Sequence, residues 1–295
     1  MDYQSVLKKF QPSHKFFIGV DSDGCVFDTM EVKQKEFFIP NALKYFGLLP
    51  ISGMVRETWE WVNLYSVHRG GNRYVSIIKV FELLNEREEI KNSTVPLPDL
   101  TSLKEWVKLE TKLEIGSLRK YFESHRDPDL AKVIRWTDAV NREIGEWLRK
   151  MPLFPNALRA IKRIHSEADL VIISQTPLEA IVREWKENDM MKYASAIAGQ
   201  ELGTKTFQIG SAAKGKYPDN QIMMIGDAFG DLEAALKNNI LFFPIVPGNE
   251  NNSWERFIND GFERFLTGNF AGTYENLLIS EFKKSLPEIP PWQRK

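Results

Sequence analysis

Four short apolar runs, Phe16 to Val20, Leu170 to Ile173, Ile222 to Ile225 and Leu241 to Val246, each end in polar or glycine-containing turns and give way to helical spacing. Continuous apolar runs of this length are what strands buried on both faces look like, and their alternation with helices specifies a parallel sheet. The intervening helices are expected over residues 156–167, 177–188, 207–215 and 230–238, with Pro177 suited to a first helical turn. The series is βαβ, and the fold class is α/β with a Rossmann-like parallel sheet.

Between Thr29 and Lys150 the texture changes. The stretches beginning at Arg73, Thr101, Gly116 and Pro128 are amphipathic at a spacing of about 3.6 residues and carry almost no β-type runs. This segment reads as an all-helical insertion, with a proline-containing connector over residues 91–102. The expected division is therefore a discontinuous core of residues 1–28 and 151–295 around a helical domain of residues 29–150. A helical tail from about residue 251 is expected to pack on the outside of the core or to fray at its proline-rich end.

Composition narrows the function classes. Thirty-nine Lys and Arg against forty Asp and Glu give a net charge of −1, and no basic stripe is present, so nucleic acid is not an expected partner. No apolar stretch approaches the ~20 residues needed to cross a bilayer, and the run from Phe16 to Val20 is too short for a signal segment. A single Cys excludes an internal disulfide, and with no export signal the expected compartment is the cytoplasm.

Four separated segments place chemistry at strand ends. Asp21 and Asp23 follow the first strand with Gly24 for the turn; Ser174 and Gln175 follow the second. Lys205 opens a helix after the run beginning at Ser195, and Asp227 and Asp231 follow the strand at Ile222. In an open α/β sheet the carboxyl ends of the strands are where ligands bind. Carboxylates crowded there repel unless a cation or a proton relieves them. A carboxylate cluster with few neutral ligands suits Mg²⁺, which keeps waters and substrate phosphate oxygens in its shell, while a hydroxyl, a Lys and helix starts suit the remaining phosphate oxygens. The chemistry this points to is phosphoryl transfer.

The set Asp21-Ser22-Asp23-Gly24, Ser174, Lys205 and Gly226-Asp227 with Asp231 resembles the four motifs of the haloacid dehalogenase-like hydrolase superfamily. That resemblance covers about residues 15–30 and 152–246, and the helical insertion stands where such proteins carry a cap. It implies that Asp21 is a nucleophile forming an aspartyl-phosphate, and that Asp23 is the acid and then the base. Asp21, the Asp23 carbonyl and Asp227 would hold Mg²⁺, with Asp231 acting through water or orienting Lys205. Ser174 and Lys205 would bind the transferring phosphoryl group. The implied function is a Mg²⁺-dependent phosphatase acting on a small phosphorylated metabolite. A phosphomutase on the same site is the alternative, and a catalytically silent scaffold is the alternative of another class. Cys25 departs from the Thr or Val usual at its place.

Competing readings exist for several residues. An EF-hand loop would need a preceding helix and a Glu at its twelfth position, where Val32 stands. Lys214 competes with Lys205, within a segment from Gly210 that imitates a P-loop but has Tyr217 where Ser or Thr must stand. In the insertion, Trp59, Trp61, Tyr65, His68, Arg69, Asn72 and Arg73 crowd around Gly70-Gly71 and read as a loop. On one reading Arg69 or Arg73 binds a distal group of the substrate. On the other the aromatics are core and the arginines are solvated.

Overall fold

The computed structural model describes residue 7 and residues 9–293. Five parallel strands, β1 (Phe16–Val20), β2 (Ala168–Ile173), β3 (Ala196–Ala198), β4 (Ile222–Gly226) and β5 (Leu241–Pro244), form one sheet in the order β3-β2-β1-β4-β5. Val20 of β1 stands opposite Ile172 of β2 and Ile225 of β4. This register brings the residues just beyond three strand ends to one edge of the sheet.

Alternate strand residues feed two apolar layers. Ile18, Val20, Leu170, Ile172, Met223 and Ile225 join one cluster, and Phe17, Val171, Ile173, Ile222 and Met224 join the other. Burial on both faces explains why these strands read as unbroken apolar runs.

Two compact units result. One comprises residues 7 and 9–30 with Arg149–Pro287, and the other comprises Glu31–Leu148 with residues 288–293. The boundaries fall two residues from the expected ones because the outgoing and returning segments pair inside the first unit. Asp28 N–H donates to Pro152 (3.1 Å) and Phe154 N–H to Val26 (3.0 Å).

The helical unit contains α1 (Ser52–Leu64), α2 (Arg73–Glu86), α3 (Thr101–Leu109), α4 (Ile115–His125) and α5 (Pro128–Trp147), preceded by helical turns over Lys33–Phe38 and Ile39–Tyr45. Trp59 and Trp61 lie on α1 and are buried, so the expected loop begins only after Leu64. Trp136 of α5 packs edge-on against Phe38 and Trp59, each 5.7 Å between ring centroids.

In the core, α6 (Pro155–Glu167), α7 (Leu178–Glu187), α8 (Lys205–Ala213) and α9 (Phe229–Lys237) connect the strands. The tail helices pack on the core through one face. Trp254, Phe257, Phe262 and Phe265 are buried in the same cluster as Ile18, and the Trp254 indole donates to the Cys25 carbonyl (2.7 Å). Beyond α10 (Thr273–Ser285) the proline-rich end groups with the helical unit, where Trp292 packs against Trp61 (5.8 Å) and beneath the Arg87 guanidinium (4.7 Å). Among the described residues no helix is long and apolar enough to cross a membrane.

Candidate active site

β1 delivers Asp21 directly to the sheet edge, where its N–H still donates to Ile225 (3.0 Å) as if the strand continued. The chain then turns sharply. Gly24 has φ of +74°, in the left-handed region that favours glycine, and the turn closes through Gly24 N–H to Phe27 (2.9 Å) and Phe27 N–H to Ser22 (3.1 Å).

Asp227 follows β4, and Asp231 sits in the first turn of α9, where its carboxylate accepts from the Ala228 N–H (3.1 Å). Gly226 makes room for it, since a Cβ there would stand 2.2 Å from the Asp231 Cγ. Asp21, Asp227 and Asp231 are all buried, and each offers a carboxylate oxygen within 4.8 Å of the others.

Lys205 is the first residue of α8, whose N-terminus is capped by Thr204 accepting from Phe207 N–H (3.2 Å). Its ammonium reaches Asp21 Oδ2 (2.7 Å) and Asp231 Oδ1 (2.6 Å). Lys214, the competing lysine, instead binds Asp219 and the Asn238 carbonyl (2.9 Å).

These contacts set the titration of the group. Burial, opposed by Lys205 and reinforced by the Asp21 and Asp227 carboxylates, pushes Asp231 up to about 7. For Lys205 burial acts downward, but Asp21 and Asp231 outweigh it and hold the ammonium well above its ordinary value. Burial foremost, then Asp227 and Asp21, raises the Cys25 thiol, which makes this buried Cys a packing residue without nucleophilic character. Three buried carboxylates against one ammonium leave excess negative charge, and an all-oxygen donor set suits a hard divalent cation.

Ser174 follows β2 and is buried; its N–H donates to Ala198 (3.0 Å), and its hydroxyl accepts from Thr176 N–H (3.2 Å). Gln175 is exposed, and its amide donates to the Gly203 carbonyl (2.9 Å). Direct contacts thus unite Asp21, Asp231 and Lys205, with Asp227 beside them, while Asp23 stands on the turn with its own hydrogen bonds.

Arg69 and Arg73 belong to the helical unit. Arg69 is buried and donates to the Leu64 carbonyl (2.9 Å); Arg73 donates to Asn141 (2.8 Å) and lies over the Phe38 ring (5.0 Å). Neither matches the solvated arginine of one reading, and both guanidiniums are engaged within their own unit.

Three polar residues escaped sequence reasoning. Thr29 and Thr176 donate to Asp23, each at 2.6 Å. Gln208 is buried in α8, and its two amide N–H groups are shared among the carbonyls of Ser174 (3.1 Å), Gly199 (2.9 Å) and Gly203 (3.0 Å), tying the loops after β2 and β3 together. Only Thr176 carried a local signal, standing two residues after Ser174 and before a proline.

The solved structures that this chain resembles are haloacid dehalogenase-like hydrolases and phosphatases. One is a haloacid dehalogenase-like hydrolase from Xanthomonas campestris, 9% identical, with 86% of this chain and 95% of that one aligned at a TM-score of 0.47. A second, a haloacid dehalogenase-like hydrolase from Streptococcus pneumoniae, is 15% identical over 83% of this chain and 91% of that one (TM-score 0.44). A third, described as a predicted phosphoglycolate phosphatase from Haemophilus somnus, is 14% identical over 81% and 89% (TM-score 0.48). No sequence family and no curated protein matches the chain. Identities of this order speak to fold alone, so the chemistry rests on the side chains described above.

Proposed function

We propose that the protein is a Mg²⁺-dependent phosphatase that hydrolyses a phosphate monoester of a small metabolite through an aspartyl-phosphate. The observation that carries this reading is the buried cluster of Asp21, Asp227 and Asp231, with Lys205 bridging Asp21 and Asp231. Structural roles rarely gather three carboxylates in a buried place, because each must be relieved of its neighbours' charge.

Asp21 attacks phosphorus through one carboxylate oxygen, and the bond from phosphorus to the leaving oxygen breaks. Asp23 gives its proton to that oxygen. Water then attacks phosphorus, Asp23 takes the proton back, and the acyl-phosphate bond breaks to restore Asp21. Splitting the displacement in two lets one carboxyl serve as acid and then as base.

Lys205 holds the Asp21 carboxylate in place from Oδ2, and with Ser174 it offsets charge on the transferring oxygens. Mg²⁺, held by Asp21, Asp227, the Asp23 carbonyl and Asp231 directly or through water, would supply charge neutralisation and substrate orientation. The phosphorylated substrate is expected to be small.

The test is hydrolysis of 4-nitrophenyl phosphate with and without Mg²⁺, comparing the wild type with Asp21→Asn. The expected result is Mg²⁺-dependent release of phosphate that falls by a factor on the order of 10³ or more in the variant. Equal release by both proteins, or none from either across a broad metabolite panel, contradicts the reading and favours a silent scaffold.

A further inference from the structure

Asp23 lies on the turn after β1, outside the sheet that fixes Asp21, and yet both of its carboxylate oxygens are held. Thr29 Oγ1 donates to Oδ1 and Thr176 Oγ1 donates to Oδ2, each at 2.6 Å. The two hydroxyls come from residues 147 positions apart (176 − 29), so only the folded core brings them together.

Both threonines are themselves fixed. Thr29 is fully buried. The N–H of Thr176 donates to the Ser174 hydroxyl (3.2 Å), and its carbonyl accepts from Gln200 N–H (3.0 Å). Threonine is β-branched and stiff at χ1, so little rotamer freedom remains to be lost in aiming its hydroxyl.

The residue type also matters. A hydroxyl can keep donating to a carboxyl oxygen whether that group is ionised or protonated, which leaves the acid's own proton for the leaving oxygen, and unlike Lys or Arg it adds no charge that would hold Asp23 ionised. A pair of hydroxyls therefore keeps the carboxyl plane aligned in both forms that an acid-then-base cycle requires.

We propose that Thr176 and Thr29 are positioning residues that clamp the Asp23 carboxyl for proton transfer to the leaving oxygen. The clamp rests on the phosphatase reading, in which Asp23 is the proton donor.

The experiment compares first-turnover release of the alcohol from phenyl phosphate, whose leaving group needs a proton, and from 4-nitrophenyl phosphate, whose leaving group needs it far less. Rapid mixing with Mg²⁺ would be applied to wild type, Asp23→Asn, Thr176→Val, Thr176→Ser and the double variant Thr29→Val/Thr176→Val. General acid catalysis contributes about 10²–10⁴-fold, so Asp23→Asn should lose at least about 10²-fold more on phenyl phosphate than on the nitro compound. Thr176→Val should show the same selectivity at about tenfold, the double variant should approach Asp23→Asn, and Thr176→Ser should return to within about threefold of wild type.

If Asp23→Asn is selective while Thr176→Val loses equally on both substrates or on neither, the clamp is wrong and the phosphatase reading stands. If Asp23→Asn shows no selectivity, the assignment of Asp23 as the acid falls and the clamp falls with it. Selectivity in Thr176→Val that Thr176→Ser fails to restore would likewise overturn the clamp, since the hydroxyl would then not be the group that matters.

Discussion

The two units bury polar groups on opposite terms. In the core, Asp21, Asp227, Asp231 and Lys205 are gathered at neighbouring strand ends, and among the described residues this is the one cluster of three acids able to share a cation. In the helical unit the buried cations Arg69 and Arg87 stand apart. Arg69 serves the Leu64 carbonyl, and Arg87 serves Glu57 (2.7 Å) and Trp292. The interior of that unit is otherwise mainly apolar, with Trp59, Trp106 and Trp136 set among aliphatic side chains such as Val55, Ile77 and Val133. In the helical unit the buried charges are answered one by one by nearby partners, whereas in the core like charges are held together against their repulsion, the arrangement on which the proposed chemistry rests.

That contrast can be broken from the helical side. If apolar packing holds the helical unit together, Trp136→Ala should cost about 3–5 kcal/mol, because it empties the space between Phe38 and Trp59 and also removes the indole donor to the Phe38 carbonyl (3.1 Å). Denaturant unfolding measures the loss. Hydrogen exchange should show it concentrated in α1, α2 and α5, and a cost below about 1 kcal/mol would remove the aromatic core from the account.

A smaller effect sharpens the comparison within the core itself. Asp169 is fully buried at the start of β2, at the opposite end of that strand from Ser174. It accepts from the N–H groups of Ser13 (2.9 Å) and His14 (2.8 Å), from the Ser13 hydroxyl and from the Tyr217 hydroxyl (2.7 Å). Burial acts to raise its pKa, but the Ser13 and Tyr217 hydroxyls and the backbone donors outweigh it and hold the carboxyl below its ordinary value.

The unfolded chain therefore takes up this proton first as pH falls. The stability contributed by Asp169 is complete above the unfolded value of about 3.9 and is lost as pH drops through the lower folded value. Asp169→Asn should cost about 1–3 kcal/mol at neutral pH with phosphate release retained, and the gap from wild type should shrink in acid. A large loss of activity with unchanged stability would contradict its assignment as a fastener.

The sheet was legible because its strands are buried on both faces and are therefore written as apolar runs. Phe16–Val20 is the clearest case. Asp21, Lys205, Asp227 and Asp231 were legible because each stands beside a strand end or a helix start, where local spacing alone places it. Asp169 was hidden because its charge interrupts the pattern, and the donors that permit its burial come from residues 13, 14 and 217. Of the two readings of Trp59 and Trp61, the structure matches the one in which the aromatics are core, since α1 continues to Leu64 and both are buried; the loop that the glycine pair at 70–71 suggested begins only after that helix. The pairing of Thr29 and Thr176 with Asp23 could not be read, since a hydroxyl carries no periodicity and its partner is set by the fold; the place of Thr176 beside Ser174 and Pro177 was the one local signal.

The central claim is that Asp21, held by Lys205 within the buried carboxylate cluster, is the group that receives phosphate. Rapid mixing with 4-nitrophenyl phosphate and Mg²⁺, reduction of the acyl-phosphate with borohydride and peptide mass analysis test it directly. The account predicts homoserine at position 21 during turnover and nowhere else. Product formation with Asp21 unmodified, or with the modification on another carboxylate, would contradict it.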